Sequence, residues 1–113
     1  MAVIEQGGLN LTSATVISVN LNPGSIIGSG KTLVTTAGSR VVLGSSLAIT
    51  SVTIRALSTN TGLIYVGSYI VASTNGFQLS SQETVSIDID NINKVYIDSS
   101  VNLEGVTYIY TQL

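Results

Sequence analysis

Six carboxylates, four cationic side chains and five tyrosines make up the reactive inventory of this 113-residue chain, which has neither cysteine nor histidine. Asp88, Asp90, Asp98 and Glu104 could offer a carboxylate pair for general acid–base work. Nothing in their spacing selects two of them, and catalysis usually also needs a pocket with aromatic or basic support. Without Cys there is no disulfide, thiolate zinc site or thiol nucleophile. Without His there is no Ser–His dyad, no histidine metal site and no histidine pH switch. The four cations, Lys31, Arg40, Arg55 and Lys94, are too few and too scattered for a phosphate-binding stripe, which argues against a nucleic-acid partner.

Three stretches imitate functional motifs. Gly24-Ser25-Ile26-Ile27-Gly28-Ser29-Gly30-Lys31-Thr32 resembles a phosphate-binding loop, but its first Gly is one residue too far from the Gly-Lys-Thr. Such a loop must also open a helix, and Thr32-Leu33-Val34-Thr35-Thr36 is strand sequence, so a flexible turn is the expectation. Asp88-Ile89-Asp90-Asn91-Ile92-Asn93 hints at calcium, yet Ile92 stands at a ligand position and the glycine is missing. Asp88 and Asp90 on one strand face read instead as a solvated surface running into an Asn turn. Asn10-Leu11-Thr12 is a formal glycosylation sequon, expected by chance in so Thr-rich a chain. The expectation is no catalytic residue, no cofactor and no metal: the chain is not read as an enzyme.

The elements that would carry these residues are strands. Val, Ile and Thr number 39, and these β-branched types lose χ1 freedom in helices and fit a pleated surface. Charged residues are only 9% of the chain, so the usual exposed-helix formers are scarce. Met1-Ala2-Val3-Ile4-Glu5 lacks a positive segment ahead of an apolar run, and no stretch approaches 18 apolar residues, so neither a signal peptide nor a membrane span is expected. A small chain that is 44% hydrophobic with so few charges reads as a subunit partly covered by other chains.

Along the chain, residues 1–12 read as an extended N-terminal arm and residues 13–113 as one domain. Thr15 to Leu21 has strand character, and Asn22-Pro23-Gly24 is a turn, with Pro presetting φ and Gly allowing a positive one. Strand signals follow at Thr32–Thr36 and Arg40–Leu43, then at Ala48–Leu57, the longest. In that strand Val52, Ile54 and Ala56 face inward and Ser51, Thr53 and Arg55 outward. Leu63-Ile64-Tyr65-Val66 is apolar on both faces, as a central or interface strand is. Asn75-Gly76 favours a tight hairpin turn. Thr84–Ile89 alternates, with Val85, Ile87 and Ile89 inward; Val95 and Ile97 continue the pattern opposite Lys94, Tyr96 and Asp98. Val106–Thr111 places Tyr108 and Tyr110 on one face and Ile109 on the other. About eight strands at short spacing predict an all-β antiparallel β-sandwich, jelly-roll-like first and immunoglobulin-like second.

Several of these pieces form a pattern together. A strand ending before Asn60-Thr61-Gly62 leads to Ile64-Tyr65-Val66-Gly67. Asn75-Gly76-Phe77-Gln78-Leu79 follows, then Glu83 opening a strand, Asn91-Ile92-Asn93-Lys94-Val95-Tyr96-Ile97-Asp98, and Gly105-Val106-Thr107-Tyr108. Over residues 48–111 this resembles small structural proteins of tailed-bacteriophage virions: head decoration (cement) proteins, head fibres or tail accessory proteins. The pattern expects Pro-Gly before Glu83, where Ser81-Gln82 stands.

The resemblance implies a capsid decoration protein on the virion surface. Its partners would be the major capsid protein and further copies of itself, most simply as a homotrimer. A head-fibre or tail module binding host-surface glycan is the alternative. The residues expected at interfaces are Val3, Ile4, Leu9 and Leu11 of the arm, with Leu63, Tyr65, Tyr69, Tyr108 and Tyr110, tyrosines being common interface anchors. An arm of this kind could add a strand to a neighbour's sheet.

Overall fold

The computed structural model describes residues 24–113, so the predicted arm, with Val3, Ile4, Leu9 and Leu11, and the strand at 15–21 lie outside the described residues. Eight strands follow: β1 Ile26–Val34, β2 Val41–Val42, β3 Ser51–Ala56, β4 Ile64–Gly67, β5 Phe77–Leu79, β6 Thr84–Ile87, β7 Tyr96–Ser99 and β8 Glu104–Gln112. A 3-10 turn, Ile92–Lys94, precedes β7; the Asn91 side chain caps it by accepting from the Asn93 N–H. The strands form two four-stranded antiparallel sheets, in the orders β1-β8-β3-β6 and β2-β7-β4-β5. The pairing is nested: β1 lies on β8, β2 on β7, β3 on β6 and β4 on β5. The chain is an antiparallel β-sandwich.

The core is built by strand alternation. Val52, Ile54 and Ala56 of β3 are buried while Arg55 is exposed. They meet Ile64 and Val66 of β4, Leu79 of β5, Ile97 of β7 and Val106 of β8. Burying each Val or Ile stabilises by about 1.5–3 kcal/mol relative to exposure, which makes this layer the main source of cohesion. β6, at the edge of its sheet, turns Val85 and Ile87 toward the core and leaves Thr84 and Ser86 exposed. β4 is buried on both faces: Ile64 and Val66 pack in the core against the other sheet, and the connection 68–76 covers Tyr65 on the outer face.

Four local expectations are corrected. The longest strands are β1 and β8, at nine residues each, and β3 is six. The chain bends at Thr50, so Ile49 is buried and Ala48 exposed, joined to the fold by one bridge to Asn91. Gly28-Ser29-Gly30 is no flexible turn: it lies inside β1, paired residue by residue with Tyr110, Ile109 and Tyr108. The β4–β5 hairpin is closed by a nine-residue connection, 68–76, and not by a tight Asn-Gly turn. Asn75 holds that connection, its Oδ1 accepting from Ala72 N–H (2.7 Å) and its Nδ2 donating to the Ile70 carbonyl (3.2 Å). Gly76 is needed for space, because a β-carbon there would overlap Tyr65.

Candidate functional surface

Three of the four carboxylates first considered for chemistry, Asp90, Asp98 and Glu104, are each held by different partners within the fold. Among the described residues no three His, Cys, Asp or Glu side chains gather as a metal site would require. Asp88 and Asp90 are exposed beyond β6. Asp90 binds Lys94 at 2.8 Å, and that hydrogen bond and charge hold its carboxyl below the usual range. Asp98 lies on the side of β7 opposite buried Ile97, as predicted, but it is not open to solvent: it is 3% exposed because the β1–β2 loop folds over it. Its Oδ1 accepts from Gly38 N–H (3.0 Å) and Ser99 N–H (2.7 Å). Gly38 sits at φ +87°, the left-handed region that this turn needs and glycine supplies.

Glu104 is the centre of a clamp. Its Oε2 accepts from Thr61 N–H (2.6 Å) and Thr61 Oγ1 (2.8 Å), and its Oε1 from Gly62 N–H (2.9 Å). Burial raises the Glu104 pKa, but these three donors outweigh it and hold the carboxyl below its ordinary value of 4.5. Next to it, Asn60 Nδ2 donates to the Gly105 carbonyl (2.9 Å). The Asn60-Thr61-Gly62 turn is thus fastened to the start of β8. Gly105 has no room for a side chain, since a β-carbon would run into the backbone of Thr32 and Leu33. These groups are hydrogen-bonded to one another within the fold.

What the surface does present is apolar. Tyr69 is 68% and Phe77 59% exposed, with Ile70 beside them, all from the β4–β5 hairpin. Phe77 borders an open apolar cleft of about 410 Å³ between the sheet edges, lined also by Val66, Val85, Ile87, Ile89 and Val95. A second group lies on the outer face of the β1–β8 pair, where Ile27, Leu33 and Ile109 are exposed. A third is the β7–β8 turn, where Leu103 is exposed at φ +65° beside Val101.

Of the tyrosines and Leu63 expected at interfaces, Tyr69 is open, and Leu63, Tyr108 and Tyr110 are half-buried. Tyr65 is 6% exposed, packed under this chain's own loop, and has little surface to offer a partner. Ile27, Phe77 and Ile109 were not singled out by sequence reasoning. For Ile109 the signal was present, in its placement opposite Tyr108 and Tyr110. Phe77 shares parity with buried Leu79 and is left open only because the facing sheet ends at β6. The chain matches no protein-family model and no curated protein.

Proposed function

We propose that this chain is a structural protein of tailed-bacteriophage virions, a capsid decoration (cement) protein that stabilises the head by contacts with the major capsid protein and with its own copies. The observation that carries this reading is the uncovered apolar surface: isoleucine, leucine, tyrosine and phenylalanine side chains stand exposed on a domain with few charges. Large apolar patches on a small β-domain mark interaction sites. The residues that carry the resemblance also fit a scaffold role. Asn60-Thr61-Gly62 clamps β8, Ile64-Tyr65-Val66 is a buried strand, Gly76 makes room for Tyr65, and Asn91 caps the turn before β7. The nested pairing supports a jelly-roll description of the sandwich.

The test is to mix the purified protein with expanded heads that lack it and sediment them. Saturable binding in hundreds of copies per head is the expected result. Few copies per virion together with direct binding to host cells would replace this reading with a head-fibre or tail module. A trimer is the expected solution form, and because burial would drive it, raising salt should not dissociate it.

A further inference from the structure

β5 and β6 end their respective sheets on the same side of the sandwich, and the cleft opens between them. Its β6 wall presents Val85, Ile87 and, just past the strand, Ile89 at every second residue; Phe77, Val66 and Val95 face them. Among the described residues β6 is an antiparallel edge, so it turns every second N–H and C=O away from β3 toward no described strand. Free backbone groups above an apolar slot are what an added strand requires. The opposite side is closed differently: Thr32 Oγ1 of β1 donates to the Leu43 carbonyl just past β2 at 2.6 Å.

We propose that residues 15–21 of a second copy occupy this cleft as an added strand beside β6. Thr15-Val16-Ile17-Ser18-Val19-Asn20-Leu21 carries no charge, and its alternation puts Ile17, Val19 and Leu21 on one face. That face repeats every second residue over about 14 Å, the same period and length as Val85, Ile87 and Ile89. The donor is a second copy because the chain's own segment is tethered out of reach. Ser25 N–H donates to the Gln112 carbonyl, which fixes the start of β1 at the far edge of its sheet. The four residues from Leu21 to Ser25 span at most about 14 Å. A strand outside β6 lies four strand spacings from β1, about 19 Å away. Donation of a segment between copies closes as a reciprocal pair or as a ring such as a trimer, or it continues as a filament. It holds whether or not the assembly decorates a capsid.

The cysteine-free chain allows a direct test. Two singly substituted proteins, one Ser18→Cys and the other Ser86→Cys, are mixed in equal amounts and oxidised. Val16→Cys and Asn20→Cys replace Ser18→Cys in parallel mixtures to cover a shift of two residues in register. The expected result is a disulfide-linked heterodimer as the main product in one of the three mixtures. Absence of the heterodimer in all three overturns the proposal. So does an intrachain disulfide as the main product of the doubly substituted Ser18→Cys, Ser86→Cys chain, which would put the segment on its own domain. As a second measurement, Ile17→Asp with Val19→Asp should convert the assembly to monomer by light scattering, with the thermal unfolding of the monomeric sandwich retained. An unchanged oligomer in that variant overturns the proposal too.

Discussion

The ring of Tyr110 lies across the backbone of Gly28, its partner in the β1–β8 ladder, and Tyr108 covers Gly30 in the same way two residues along. The two rings stack with centroids 6.2 Å apart. A β-carbon at either glycine would overlap a ring, so a strand that looks weak by composition is covered by its partner's aromatics. The obstacle at Gly28 is the far end of a side chain that can swing, whereas at Gly105 it is the backbone of Thr32 and Leu33. Gly28→Ala should therefore cost about 1–2 kcal/mol, and Gly105→Ala well over 3 kcal/mol or the fold itself. Chemical denaturation of the two variants gives the order, and equal costs would contradict the packing described.

Which parts were readable follows from what periodicity can see. Val52, Ile54 and Ala56, and Val85 and Ile87, carry side chains whose alternation states the core face directly. Gly28 and Gly30 have no side chain to enter the pattern, and Tyr108 and Tyr110, which complete it, lie some eighty residues away in sequence. Asp98 followed the alternation on paper. It is covered by a loop whose position depends on Gly38, and only the tertiary structure brings Gly38 N–H to its carboxylate. Asn75-Gly76 has the composition of a tight turn, but its glycine is selected by the Tyr65 side chain and not by a positive φ. The apolar cleft arises where two sheets end, and strand patterns are silent on that.

Gln82 holds φ at +68° as the third residue of the turn Ser80–Glu83, which Glu83 N–H closes by donating to the Ser80 carbonyl at 2.9 Å. A type II turn wants Gly at that position and Pro before it, the dipeptide that the phage-protein pattern would place there. Gln82→Gly removes a steric cost of about 1–2 kcal/mol and adds some unfolded-chain entropy, for a net gain of about 0.5–1 kcal/mol. The check is a thermal melt; a lower melting temperature would contradict the turn assignment.

Glu104 predicts an acid limit. Its pKa is lower in the folded chain than its ordinary 4.5, so its ionised form stabilises the fold. That contribution is complete above about pH 4.5 and is lost as pH falls through the folded value. Glu104→Gln keeps the size but places an NH₂ against backbone donors, at a cost of about 2 kcal/mol at neutral pH. The difference in stability between the two proteins should shrink steadily below about pH 4.5 and stay constant between pH 6 and 8. A difference independent of pH throughout would mean that the carboxylate charge is not what holds the Thr61–Gly62 turn.

Deleting residues 1–12 should separate folding from attachment. Among the described residues the core cluster runs from Val34 to Val106, and β1 begins at Ile26. A segment with Gly7-Gly8 and only short apolar pieces gains too little from burial alone to offset about 1–2 kcal/mol per residue of backbone ordering. Ordered against a partner's sheet edge, Val3, Ile4, Leu9 and Leu11 would be covered and the backbone paired. The truncated protein should melt within a few degrees of the full chain and bind expanded heads more weakly. Because the deletion keeps residues 15–21, its assembly into copies of itself should survive. Loss of the thermal transition would make residues 1–12 an intrinsic strand of the domain. Unchanged melting with unchanged head binding would leave the stretch without a structural task.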